Sequence, residues 1–143
     1  MKQFIITGLM VILAIASTYA QTKHDNVIVA NYLTYKEAML KCLDMGYNIA
    51  VKDDDLQYFS TTPRADKHHN EVVYHVRIKD SIAVITGDLN QNMGMALGMW
   101  TAKVPITQIE FRGEEGSPMK QSWYSMNDFA KSFGKQISYA SIR

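Results

Sequence analysis

The clearest hydrophobic pattern in the chain has a period of two. In "EVVYHVRIK", residues 71–79, every second side chain from Val72 to Ile78 is apolar, while His75, Arg77 and Lys79 occupy alternate positions. This alternation predicts a β-strand with one face buried and the other in water. Asp80 and Ser81 supply turn residues before a second β-branched run, so we expect a hairpin, with a register that the run itself leaves open.

Two segments follow the helical period instead. In "LTYKEAMLKCLDMGY", Thr34 and Glu37 have the spacing of a capping box, and Gly46 is placed to end the helix. In "GSPMKQSWYSMNDFAKSFGK", Ser117 can cap the helix with Pro118 in its first turn, and Gly134 can stop it. Both segments carry one apolar stripe, which predicts that each helix packs on a sheet.

Further extended runs surround these elements. The pattern predicts a short strand at Val27 to Ala30, two around the turn Asp53 to Asp55, and one in "VPITQIEFRG". Because consecutive strands are joined by short turns, the sheet should be antiparallel. We therefore expect an α+β fold: an antiparallel sheet of four to six strands with two helices packed on one face.

The first twenty residues have a different character. They combine one lysine, an uncharged run from Phe4 to Ala16, and small residues ending in Thr18-Tyr19-Ala20, which is typical of a secretory signal peptide. The apolar run is shorter than the roughly 20 residues that a membrane-spanning helix needs. We expect residues 1–20 to be a signal peptide and residues 21–143 to form one α+β domain. The mature chain should be periplasmic or secreted, with no stable membrane anchor.

Charge and cysteine content narrow the function classes. Residues 21–143 contain 14 basic and 14 acidic residues, so they lack the excess of positive charge that is typical of nucleic-acid-binding proteins. Cys42 is the only cysteine, so no internal disulfide can form. It lies within the apolar stripe of the first helix, which favours a buried, inert thiol over a nucleophile.

The segment "DKHHNEVVYH" is the strongest candidate for metal chemistry. It contains Asp66, His68, His69 and His75, three of the chain's four histidines. Zinc sites use three or four converging ligands, usually at a recognisable spacing, and no such motif is present. Alternation also directs His75 to the wet face of its strand. A solvated loop and a metal-binding or metal-sensing site therefore both remain open, with Asp66, His68, His69 and His75 as candidate ligands.

The uncharged run "QNMGMALGMW" fits neither period. Met93, Met95 and Met99 could offer thioethers to Cu(I), but methionines in an apolar run are more often core filler. An exposed apolar patch commonly marks an interaction site. We therefore take Met93, Met95, Met99 and Trp100 as candidate partner-binding residues and expect Met99 and Trp100 to be partly exposed.

Two stretches, "AMLKCLDMGYNIAVKDDDLQYFSTTP" and "VVYHVRIKDSIAVITG", resemble small exported α+β domains of bacterial envelopes. The helix-on-sheet pattern is similar to that of accessory lipoproteins of the outer-membrane β-barrel assembly machine, although the lipidated cysteine is missing. The resemblance covers roughly residues 27–90 and, more loosely, the last helix, and it implies binding or scaffolding roles.

The catalytic motifs of the common hydrolases are absent from the sequence: it has no G-x-S-x-G elbow and no glycine-rich phosphate loop before a helix. We expect an exported, non-enzymatic binding or scaffolding domain without a cofactor, whose partner is an envelope or secreted protein. A metal-binding protein is the alternative, and a small hydrolase ranks third.

Overall fold

A computed structural model describes residues 21–90 and 106–142. The elements in chain order are β1 Val27–Asn31, α1 Tyr35–Asp44, β2 Ile49–Asp53, β3 Tyr58–Thr61, β4 Arg64–Ala65, β5 Glu71–Lys79, β6 Ile82–Asn90, β7 Thr107–Gln108, α2 Pro118–Ser132 and β8 Ile137–Ala140. The α+β class and the antiparallel sheet are confirmed. The strand number is corrected, because the described residues form a sheet of eight strands rather than four to six.

Six of these strands lie side by side in the order β2-β3-β5-β6-β1-β8, and each neighbouring pair is antiparallel. The two additional strands are two-residue ladders: β4 pairs with the start of β5, and β7 pairs with the end of β6. Within the described residues of "VPITQIEFRG", the predicted strand comprises Thr107–Gln108. β8 pairs with β1 and was not predicted from the sequence.

Both helices begin and end as their sequences predict. The Thr34 and Ser117 side chains accept hydrogen bonds from the backbone N–H groups of Glu37 and Lys120, respectively. Gly46 and Gly134, just beyond the helices, have φ values of +79° and +68°. These left-handed conformations suit glycine, which has no Cβ to clash with the backbone.

One face of the sheet, the inner face, packs against both helices. The Tyr35 ring of α1 lies 6.1 Å from the Phe59 ring of β3, and the Phe129 ring of α2 stacks 4.5 Å from the Tyr74 ring of β5. Cys42 of α1 is fully buried, as predicted. The aromatic contacts therefore join the helices to the middle of the sheet.

The hairpin between β5 and β6 determines which residues face outward. Lys79 pairs with Ile82 across a two-residue loop, Asp80 and Ser81, whose φ values are +52° and +62°. Positive φ at both loop positions is the geometry of a type I′ turn, whose twist matches that of the strands. This register buries Ile85 and leaves the opposite, outer face of the sheet uncovered by either described helix.

Candidate functional site

The outer face carries a shallow groove of about 460 Å³, here called the outer groove. Its lining residues come from strands β3, β5 and β6 and from the turn before β3: Leu56, Tyr58, His75, Arg77, Val84 and Thr86.

Cross-strand register brings the lining residues of the outer groove together. Arg77 lies directly opposite Tyr58 on one neighbouring strand and Val84 on the other. His75 likewise lies opposite Thr86. Directly opposed residues in antiparallel strands have Cβ atoms about 5 Å apart, so these side chains are close neighbours.

A hydrogen-bonded chain of three side chains fixes the polar part of the outer groove. The Tyr58 hydroxyl lies 2.9 Å from Nδ1 of His75, and Nε2 of His75 lies 3.0 Å from Oδ2 of Asp88. An ionised carboxylate only accepts hydrogen bonds, so Nε2 donates to Asp88. In neutral His75, Nδ1 is then the acceptor, and the Tyr58 O–H donates to it. Both ring nitrogens are therefore already bonded within the protein.

Arg77 differs from the other two arginines in the described residues. The Arg64 guanidinium donates to the Met45 carbonyl at 3.1 Å and lies over the Tyr47 ring, and Arg112 pairs with Glu110 at 3.2 Å. The Arg77 side chain makes no hydrogen bond or ion pair within residues 21–90 and 106–142. Because a guanidinium stays charged and has five N–H donors, Arg77 brings an unpaired cation to the outer groove.

The turn that carries Leu56 is held against α1. The Tyr35 hydroxyl lies 3.1 Å from Oδ1 of Asp54 and 3.2 Å from the backbone carbonyl of Tyr58. Burial and the hydrogen bond to Asp54 raise the pKa of Tyr35 to about 12. The hydroxyl thus keeps its proton at neutral pH and can donate to the turn, which positions Leu56 at the rim of the outer groove.

Hydrogen bonds to the Asp66 carboxylate hold the histidine-rich loop. Oδ1 of Asp66 accepts hydrogen bonds from the backbone N–H groups of His68 and Asn70, at 2.8 and 2.9 Å. Its other oxygen, Oδ2, accepts from the Ser125 hydroxyl of α2 at 3.0 Å. Both carboxylate oxygens therefore fasten the loop to itself and to the helix.

The candidate metal ligands are not brought together as one set. His68 and His69 are exposed in the loop that Asp66 fastens, whereas His75 lies five residues beyond Asn70, about 16 Å along an extended strand. Within the described part of the chain, no group of three or more His, Cys, Asp or Glu side chains could hold a metal ion. The metal-binding hypothesis stays a prediction that needs its own experiment.

The predicted partner-binding residues Met93, Met95, Met99 and Trp100 lie outside the described residues, so that hypothesis also stays a prediction. Sequence reasoning placed His75 and Arg77 on the wet face of a strand but missed the outer groove. The sequence signal for the groove was the alternation of polar and apolar residues in both β5 and β6. That alternation identifies the lining residues only once the register between the two strands is known.

Comparison with known proteins provides no family assignment: the sequence matches no protein-family model and no curated protein. Among the described residues, neither helix has the length and apolar character required to span a membrane.

Proposed function

We propose that this protein is an exported binding domain that holds its ligand in the outer groove. One observation carries the proposal: a concave site lies on the sheet face that neither described helix covers, with an exposed leucine beside preoriented polar groups. Ligand sites typically combine an apolar lining with a few fixed polar groups. The signal-peptide pattern of residues 1–20 supports export.

The hydrogen bonds of His75 support a preoriented binding surface. A general base must lie within hydrogen-bond reach of the proton that it removes, and the proton beside Nδ1 of His75 is that of the Tyr58 hydroxyl. In His75, Nε2 is bonded to Asp88 and Nδ1 to Tyr58, so the ring braces the Tyr58 hydroxyl at the edge of the site. This arrangement favours recognition by a rigid surface.

The biological setting proposed from the sequence is consistent with such a role. The balanced charge of residues 21–143 does not suit nucleic acid, and the resemblance to envelope domains points to binding or scaffolding. The apolar run from Met93 to Trp100 is a second proposed surface for an envelope or secreted partner. The outer groove and that run can be tested separately.

Amide NMR of the purified protein with a library of small amphiphilic compounds tests the outer groove. We expect binding compounds to shift the backbone amide signals of Tyr58, His75, Arg77 and Val84 together. Leu56→Ser should weaken that binding, because it removes the exposed apolar side chain at the rim.

Val51→Ser is a matched control for Leu56→Ser. Val51 is 56% exposed and Leu56 is 55% exposed, but only Leu56 lines the outer groove. Equal weakening by the two substitutions would contradict the proposal. Compounds that shift only the helix-side cavity beside Tyr47, Arg64 and Asp128 would contradict it as well.

A further inference from the structure

We infer that the ligand of the outer groove is a small apolar carboxylate, which Arg77 binds through its guanidinium group. This inference rests on the proposed function and adds the chemical class of the ligand. It follows from three properties of the outer groove: its charge, its apolar rim and its size.

The charge of the outer groove comes from Arg77. Among the residues that the structure describes, no acidic side chain lines the groove, and the nearest acid in the hydrogen-bonded chain, Asp88, is bound to the far nitrogen of His75. Two other acids, Asp55 and Asp80, line the neighbouring cavity, where Lys79 accompanies Arg77. Arg77 is thus the formal charge that a ligand meets in the outer groove itself, and it favours an anion.

The geometry of a guanidinium makes a carboxylate the best match among anions with a single charge. Its paired N–H groups can bind both oxygens of a carboxylate at once, a geometry that a lysine ammonium cannot offer. The other guanidinium groups of the described residues are occupied: Arg64 by Met45 and Tyr47, and Arg112 by Glu110. Arg77 is therefore available for an external partner.

The remaining lining favours an apolar body attached to that carboxylate. Leu56 is more than half exposed at the rim, and Val84 lies opposite Arg77 on β6. A hydrocarbon group placed between these two side chains would be removed from water while its carboxylate stays beside Arg77. A ligand with a positive charge would instead be repelled by Arg77.

The size of the outer groove favours a small molecule over a protein surface. It spans three strands, about 10 Å across, and its volume of about 460 Å³ lies within the usual range for small-molecule sites. A stable protein interface buries about 800 Å² on each partner, which is a much larger area than a groove about 10 Å across can offer. A short acyl chain with a terminal carboxylate fits these dimensions.

The test uses three six-carbon probes of similar shape: hexanoate, hexanamide and hexylammonium, titrated into the purified protein and followed by amide NMR. We expect hexanoate to shift the signals of Tyr58, Arg77 and Val84 and to bind about tenfold more tightly than hexanamide, a difference of about 1.4 kcal/mol. Hexylammonium should not bind there. Arg77→Gln should reduce hexanoate binding to the level of hexanamide, and Arg77→Lys should restore only part of it.

Lys79→Gln is the matched control, because Lys79 projects from the same strand face two residues away but does not line the outer groove. Its effect on hexanoate binding should be small. An equal loss in Lys79→Gln and Arg77→Gln would overturn the role of Arg77 and indicate nonspecific attraction.

The remaining outcomes separate this inference from the proposed function. If hexanamide binds the outer groove as tightly as hexanoate, the carboxylate is wrong but the groove remains a binding site. If an acetylated pentapeptide amide with one central glutamate binds there and hexanoate does not, the small-molecule ligand is wrong. If neither these probes nor the amphiphilic library shift the groove signals, both proposals fail.

Discussion

The two faces of the β5–β6 hairpin are built from alternate residues of the same strands, yet they are held together differently. On the inner face of β5, the side chains of Val72, Tyr74, Val76 and Ile78 are at most 3% exposed. On the outer face, His75 bonds to Tyr58 of one neighbouring strand and Asp88 of the other. Burial of apolar side chains stabilises the inner face, whereas hydrogen bonds between neighbouring strands fix the side-chain orientations on the outer face. Fold and proposed function therefore depend on different residues of one hairpin.

The largest expected difference between the faces is at adjacent aromatic residues of β3. Phe59 is fully buried on the inner face, and Tyr58 lies on the outer face. Phe59→Ala should lower the free energy of unfolding by about 3–5 kcal/mol, because it removes a large buried side chain. Tyr58→Ala should cost about 1 kcal/mol, the scale of one hydrogen bond. Urea unfolding measures both, and similar losses would contradict the division into two faces.

The buried Cys42 thiol of α1 should make the free energy of unfolding depend on pH in the alkaline range. Burial raises the pKa of Cys42 from about 9 to about 11, so the native state keeps the proton longer than the unfolded state. The unfolded state therefore binds fewer protons between about pH 9 and 11, and the free energy of unfolding falls as pH rises through this window. Two pH units correspond to a loss of about 2–3 kcal/mol.

Urea unfolding from pH 8 to 11, with Cys42→Ala as the comparison, isolates that contribution. All other ionisable groups are common to both proteins, so the difference between the two curves reports the thiol. The stability of the natural chain should fall more steeply than that of Cys42→Ala. Parallel curves would show that Cys42 is not the group responsible.

A substitution at Gly87 tests how closely the inner face of the sheet packs against Ile109 and Met126. A Cβ atom at this position would lie 2.9 Å from Cδ1 of Ile109 and 3.0 Å from Sδ of Met126. Gly87→Ala should therefore cost about 1–3 kcal/mol by overpacking. Thermal unfolding measures the loss, and Thr86→Ala on the outer face should change stability by only about 0.5 kcal/mol.

Ile109→Val provides the internal check, because it removes the Cδ1 atom nearest to the added methyl group. The double variant Gly87→Ala/Ile109→Val should be more stable than the sum of the two single losses predicts. Strict additivity would mean that the two side chains do not meet in the core.

The same division explains what could be predicted from the sequence. Local signals were sufficient for the two helices, since Thr34, Ser117, Gly46 and Gly134 act within one turn of each helix end. The inner face of β5 was likewise visible in its alternation. These features depend on neighbours in the sequence and on burial.

The missed features depend on partners in other segments of the chain. β4 has only two residues, and β8 has four, so these strands are defined by their pairing with β5 and β1. His75 was expected to face water, but Tyr58 and Asp88, 17 and 13 residues away, bond to its ring. Sequence alternation assigns a side chain to a face, and only the register identifies its neighbours on that face.

Asp88→Ala tests the hydrogen-bonded chain of the outer face directly. Loss of the carboxylate removes the acceptor that keeps the proton of neutral His75 on Nε2, so the ring should lose its tautomer preference. Imidazole ¹⁵N chemical shifts report that change, and the free energy of unfolding should fall by about 1 kcal/mol. Asn90→Ala is the control, because Asn90 bonds to Glu71 instead. Unchanged ring shifts in Asp88→Ala would contradict the chain.

Of the changes considered, adding zinc should have the smallest effect on stability. The histidine-rich loop uses the Asp66 carboxylate for its own hydrogen bonds, and His75 lies on the sheet. We expect Zn(II) to leave the thermal unfolding midpoint unchanged. A bound ion at 100 times its dissociation constant would add about 2.7 kcal/mol, enough to raise the midpoint by several degrees. If such a rise occurs and His68→Ala/His69→Ala abolishes it, the histidine loop rearranges to bind metal and is a second functional region beside the outer groove.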